Sequence, residues 1–351
     1  AGTDYTAVVD QAAVITAGST TTTVDVEVTG DQIVEIDETF LVNLTAELFD
    51  GAADSTRVNF GDASGLGTIN NDDTAVLSID DVTINEGDTG NTNFTFTITS
   101  SLESSKDLAV TVNTANGVEA LAGTDYTAIV NQAAVIIAGT TSTTVDVLVT
   151  GDQIVEIDET FLVNLTAELF DGATDTTRVT IGDTSGLGTI VNDDTASLSI
   201  NDVAINEGNA GDTTFTFTIT SSLESSKDLA VTVNTAGDIE ALAGTDYTAI
   251  VNQAAVITAG STTTTVDVLV TGDQIVEIEE TFLVNLTAEL FDGATDTTRV
   301  TIGDASGLGT IVNDDTASLS INDVAINEGD AGNTIFTFTI TSSLESSKDL
   351  A

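Results

Sequence analysis

The chain repeats itself every 121 residues. Asp4-Tyr5-Thr6 returns as Asp125-Tyr126-Thr127 and as Asp246-Tyr247-Thr248, and residues 110–230 differ from 231–351 at only 11 of 121 positions. Solenoid units run to about 20–45 residues, so this period fits whole domains in line. The repeat register divides the chain into a partial domain at 1–73, complete domains at 74–194 and 195–315, and a further partial domain at 316–351. Ala1 matches Ala122 and Ala351 matches Ala230. The first segment therefore lacks its first three strands, and the last carries only its first two.

Within a repeat the apolar period is two. Phe94, Phe96 and Ile98 alternate with threonines; Val145, Val147 and Val149 alternate with Asp146 and Leu148; Phe161, Val163, Leu165, Ala167 and Leu169 alternate with Leu162, Asn164, Thr166 and Glu168. Such alternation is the mark of half-buried strands, and no segment carries a capped 3.6-residue period. Seven strands are expected, at about 75–84, 92–100, 108–114, 126–137, 143–150, 160–170 and 178–191. The Gly-rich stretch Gly182 to Gly188 predicts a bulge or an extended loop before or within the last strand. Seven short strands in one repeat predict an all-β fold, a tandem linear array of immunoglobulin-like seven-stranded antiparallel β-sandwiches.

Charge then decides the chemistry. Asp and Glu number 57 against 6 Lys and Arg, a formal net charge of −51, and the chain has no His, Cys, Met, Trp or Pro. With apolar residues at 41%, this is not a disordered acidic tail. Without His or Cys there is no Ser-His or Cys-His nucleophile pair, no disulfide and no typical zinc site. So few cations argue against nucleic acid. No apolar run is long enough for a transmembrane helix. Oxygen ligands remain, and these suit hard cations.

The carboxylates are not scattered. The stretch Gly151 to Phe161 holds Asp152, Glu156, Asp158 and Glu159, and it recurs as Asp31 to Phe40 and Asp273 to Phe282. If successive strands run up and down, the first, third and fifth connections share one end, where the last strand also finishes. Glu86, Asp125, Asp152, Glu156, Glu159, Asp193 and Asp194 then converge at one pole. Lys106 and Arg178 fall at the other. In the next domain Lys227 and Arg299 would face the acidic end, a head-to-tail charge match.

Asn85-Glu86-Gly87, Gly123-Thr124-Asp125-Tyr126, Gly151-Asp152 through Glu159-Thr160-Phe161, and Gly188-Thr189-Ile190-Val191-Asn192-Asp193-Asp194 resemble the Calx-β domain, the calcium-binding sandwich of sodium/calcium exchangers that also occurs in tandem in bacterial extracellular proteins. The resemblance spans each complete repeat. It implies Ca²⁺ ligands at Glu86, Asp125, Asp152, the carbonyl of Ile154, Glu156, Glu159, Asp193 and Asp194. In the other repeats the equivalents are Asp4, Asp31, Glu35, Glu38, Asp72 and Asp73; Glu207, Asp246, Asp273, Ile275, Glu277, Glu280, Asp314 and Asp315; and Glu328. Gly151, Gln153 and Asn192 stand where domains that bind several ions carry aspartate, which implies fewer or weaker sites. Asp158, Glu279 in the next repeat, is left out as tolerant of side-chain length.

These readings predict a structural, non-enzymatic protein: a calcium-stiffened array serving as an extracellular filament, stalk or adhesin extender at the cell surface. Its partners would be adjacent repeats or further copies head to tail, together with a cell-surface or matrix partner. The alternative is a calcium-dependent module for a glycan, mineral or partner protein. Near-identity of the loops favours spacing over recognition. A glycosidase-like carboxylate pair lacks an aromatic sugar platform, an isopeptide bond at Lys106 is outweighed by a solvated lysine, and the sequons at Asn43, Asn164 and Asn285 lie inside strands. The two ends fit a window cut from a longer array; strand donation between copies is the competing reading.

Overall fold

The computed structural model describes residues 3–351 and contains strands and loops, with no helix among the described residues. Two compact units are present. Among the described residues, one comprises 3–86, Asn91–Gly151 and Glu159–Val191; the other comprises Gly87–Gly90, Asp152–Asp158 and Asn192–Ala351.

In the first unit two sheets form a sandwich. One runs in the order Ser142–Gly151, Gly90–Ser100, Ala75–Ile79, Val179–Ile181, and the other Val82–Asn85, Ser185–Val191, Glu159–Phe170, Leu108–Asn116, Gln132–Ile136. The period of two is read out directly. Phe94, Phe96 and Ile98 are fully buried, whereas the outward Thr95 hydroxyl donates to Asp146 Oδ1 at 2.6 Å. Phe161 is the hub: it stacks on Tyr126 with centroids 4.7 Å apart and lies against Phe94 and Phe96. Full burial of one such ring stabilises by about 2–3 kcal/mol. A Cβ on Gly188 would stand 2.4 Å from the Phe161 ring, so only glycine fits there.

The all-β sandwich is as the pattern predicts, and the body of each sheet is antiparallel. Three strand boundaries differ. The expected strand 75–84 is two strands, Ala75–Ile79 and Val82–Asn85, in different sheets. Asp80 and Asp81 make the crossing: Asp80 Oδ1 accepts Thr97 N–H at 2.6 Å and Asp81 Oδ1 accepts Leu187 N–H at 2.7 Å. The last strand divides likewise at Gly182-Asp183-Thr184, and the halves pair parallel with the two halves of the first strand. The fourth strand is only Gln132–Ile136; Tyr126 bridges separately to Val149.

The second unit repeats this plan over Ala196–Val312 with Phe282 as hub. In the C-terminal segment Leu319–Ile321 pairs with Ile340–Ser342, and Phe336 and Phe338 are half exposed.

Each unit also contains an acidic loop that enters a neighbouring domain's core. Val155 is fully buried in the cluster built from residues 196–311, and Val34 in the cluster built from residues 75–190. Val155 N–H donates to Glu224 O at 3.0 Å, and its carbonyl accepts from Ser225 Oγ at 2.9 Å and Ser226 N at 3.0 Å. Arg299 closes over the loop: Nε donates to Glu156 O at 2.7 Å, one terminal nitrogen to Asp158 at 2.7 Å and the other to Asp296 at 2.8 Å. Arg178 repeats this with Glu35 O, Asp37 and Asp175.

Candidate metal centre

In the second unit the site follows from two strand pairings. Val203–Asn206 runs parallel to Ser306–Val312, with Asn206 opposite Val312, so the residues that follow both strands emerge together. Those residues are Glu207 and the Asp314-Asp315 pair, whose carboxylates offer oxygens within 4.8 Å of one another. Glu280 pairs antiparallel with Ile311, which sets the start of that strand at the same end.

The connection 273–279 supplies the remaining groups. Asp273 Oδ1 accepts Ile275 N–H at 2.7 Å, an Asx turn that starts the loop. Asn313 fixes it further on: its Oδ1 accepts Glu277 N–H at 3.0 Å while its Nδ2 donates to Asp315 O at 3.0 Å. Asp246 is held by its neighbour Tyr247, a buried ring stacked on Phe282. Glycine makes room: a Cβ on Gly272 would lie 2.2 Å from Gly208 O and 2.7 Å from Glu207 O.

The electrostatics are those of a site built for a cation. Glu207, Glu280 and Asp315 are 4%, 6% and 6% exposed, and Glu207 Oε1, Glu280 Oε2 and Asp315 Oδ2 have no hydrogen-bond partner among the described residues. Buried carboxylate oxygens are ordinarily satisfied, because leaving one bare forfeits its hydration. Burial, with Glu277, Asp273, Asp314 and Asp315 adding repulsion, pushes Glu207 up to about 7. Burial, then Asp246, Glu277 and Glu240, pushes Glu280 up to about 7. Glu277 is raised by burial and then chiefly by Asp273 and Asp246. A divalent cation would satisfy the bare oxygens and cancel the repulsion together, so the residues fit Ca²⁺. Glu207, Asp314 and Asp315 form one compact subsite, and Asp246, Glu277 and Glu280, coupled by mutual repulsion, make a second, looser one.

The first unit holds the second of these again. Asp4, Glu35 and Glu38 are half-buried with oxygens within 4.8 Å, and Glu35 is raised by burial, then Glu38, Asp31, Asp4 and Asp73. Asn71 performs the bridging of Asn313, accepting Glu35 N–H and donating to Asp73 O, both at 2.8 Å. Asp31 Oδ1 caps Ile33, and Asp72 is exposed. Glu86 and Glu159 are buried and Asp125 half-buried in this unit. The middle repeat's other candidates belong to the second unit. There Asp152 Oδ1 accepts Ile154 N–H, Asn192 Oδ1 accepts Glu156 N–H, and Asp194 is raised by burial, then Asp193, Asp88 and Asp152. Glu328 is exposed and is brought together with no other candidate ligand among the described residues.

Sequence reading overlooked three groups here. Asn71, Asn192 and Asn313 are loop supports, where the pattern suggested only a missing charge. Asp37 and Asp158 are acceptors for the arginine clamps. Val34 and Val155 are core residues of another domain. The one advance signal was that the asparagines and valines recur at the 121-residue period; the clamp acceptor does not, being Glu279 in the third repeat.

A family model described as Calx-beta domain matches residues 1–64, 69–185 and 192–306. Among solved structures, the chain is similar to CBD12 from CALX1.2, at 15% identity over 67% of this chain and 99% of that one with a TM-score of 0.31. It is similar to the apo-form Calx CBD1 domain at 20% identity over 35% of this chain and 100% of that one, with a TM-score of 0.30. No curated protein sequence matches the chain.

Proposed function

The chain belongs to the Calx-beta domain family, and from that premise we propose that it is a calcium-stiffened spacer, an extracellular array in which Ca²⁺ rigidifies the joint between successive domains. The observation that carries the reading is the group of buried, unpartnered carboxylate oxygens at Glu207, Glu280 and Asp315. Glu207, Asp246, Asp273, Glu277, Glu280, Asp314 and Asp315 would hold the ion, with the Ile275 carbonyl as a further ligand. Ca²⁺ takes 6–8 oxygens, and this set supplies enough for two ions sharing carboxylates.

The protein's own residues link such a site to the joint. The loop bearing Asp152 and Glu156 also carries Val155, which is seated in the next domain's core, and Arg299 holds the carbonyl of Glu156. Ordering the loop therefore orders the connection. Location outside the cell, assembly into a filament or stalk and a surface partner extend this reading; Ca²⁺ is abundant there and the repeats vary little.

The test is thermal unfolding of the full chain with excess EGTA and with added Ca²⁺, alongside small-angle scattering. Chelation is expected to lower Tm and broaden the distribution of interdomain distances. Identical melts and identical scattering would leave a plain β-sandwich chain with a solvated acidic surface.

A further inference from the structure

The second subsite carries a carboxylate that the family motif does not supply. Glu240 lies in the connection before Asp246, in the left-handed region at φ +59, a conformation that non-glycine residues adopt at a cost. The local backbone is stitched to the residue following Glu280. Thr281 N–H donates to Ile239 O at 2.9 Å, Asp238 N–H to Thr281 O at 3.1 Å, and Thr281 Oγ1 to Asp238 Oδ2 at 2.8 Å. Glu240 itself bridges to Thr281, the residue after Glu280, its charge adds to the repulsion on Glu277 and Glu280, and Glu280 Oε2 is the buried, unpartnered oxygen of this subsite.

A cation already stands beside it. Lys348 Nζ lies 2.6 Å from Glu240 Oε2, with the two side chains 49% and 45% exposed. Lys348 comes from the following repeat and is set in place through Ser346, whose Oγ accepts Lys348 N–H at 3.3 Å and donates to Val276 O at 3.0 Å. Val276 sits between Ile275 and Glu277 in the metal loop, and Ile275–Val276 pairs with Glu345–Ser346. Glu119 and Lys227 are the equivalent residues one repeat earlier.

We propose that Glu240 and Lys348 form a charge gate on the second subsite: Glu240 is a further ligand for the ion there, and the ammonium of the following repeat competes with that ion for it. The gate would make metal uptake depend on the neighbouring domain and on ionic strength. It rests on the metal-site reading above.

Terbium, a luminescent stand-in for Ca²⁺, tests the gate in the full chain. The chain has three tyrosines, each directly after a candidate ligand aspartate, so Tyr5→Phe with Tyr126→Phe leaves Tyr247 as the sole sensitiser of the third repeat. In that background Lys348→Gln is expected to lower the terbium concentration at half-saturation by roughly two- to eightfold at low salt, and the gain should shrink near 1 M salt. Glu240→Gln should weaken binding, and Lys348→Gln should then add nothing. A parent chain that takes up no terbium overturns the metal-site reading, and the gate with it. A parent that binds while Lys348→Gln changes nothing, or changes it equally at all salt concentrations, overturns the gate alone.

Discussion

Burial and like charge act in the same direction on Glu207, and the consequence is a pH dependence opposite to that of an ordinary salt-bridged carboxylate. Glu207 and Glu280 are raised from 4.5 to about 7 in the folded chain. Between those values the native state binds more protons than the unfolded state, so their contribution is fully present below about 4.5 and is lost as pH rises through about 7. Metal-free protein is expected to melt at lower temperature at pH 8 than at pH 5.5. Ca²⁺ binding requires the deprotonated forms, so half-saturation should move to higher Ca²⁺ as pH falls below 7. Melts and titrations over pH 5–8 check both. Glu207→Gln should raise the metal-free Tm yet lower Ca²⁺ affinity at least about tenfold, the loss of one charged ligand. The carboxylates themselves were legible because they cluster in the connections that an up-and-down order of the predicted strands brings to one pole. The asparagines were not. An amide that accepts Glu277 N–H and donates to Asp315 O performs two functions, and a carboxylate cannot donate, which became visible only when the loop and the last strand were side by side.

Among the elements, the strands declared themselves through alternation, since burial on one face is a local pattern. The sheet crossings at Asp80-Asp81 and Gly182-Asp183 did not, because the alternation continues across them and only the parallel pairings separate the halves. In sequence the acidic loop shows only its ligand character. Its Val155 is a core residue, but of a domain that begins forty residues later, and no local pattern reports a socket elsewhere. Val155→Ala should lower the stability of the second unit by about 1–3 kcal/mol, from the lost methyls and the space left behind, measured by denaturant unfolding of the full chain. Gly272→Ala addresses the other side of the site. Its Cβ would collide with the backbone of Gly208 and Glu207, so Ca²⁺ affinity is expected to fall at that repeat while the other repeats still titrate; Tyr247-sensitised terbium emission isolates the affected one.

For the whole chain, a net charge of −51 sets the background against which any site operates. Self-repulsion destabilises compact states and is screened by salt. Metal-free Tm should therefore climb with NaCl, while the increment added by Ca²⁺ shrinks, because part of the repulsion is already relieved; melts from 0.05 to 1 M NaCl read both trends. The buried valines bear on where a domain can be cut. The repeat register places a boundary at Asp194 and Thr195, yet the interior of the following domain includes Val155, forty residues upstream. A fragment excised at the register would begin life with an empty socket between Glu224 and Ser226, bare serine hydroxyls and an Arg299 without its carbonyl. Duplication copies the register, yet the core of each complete repeat also takes in a valine from the copy before it. In such an array the piece that keeps every core contact straddles two copies, so a cut at the repeat register and a cut that preserves the packing fall at different places.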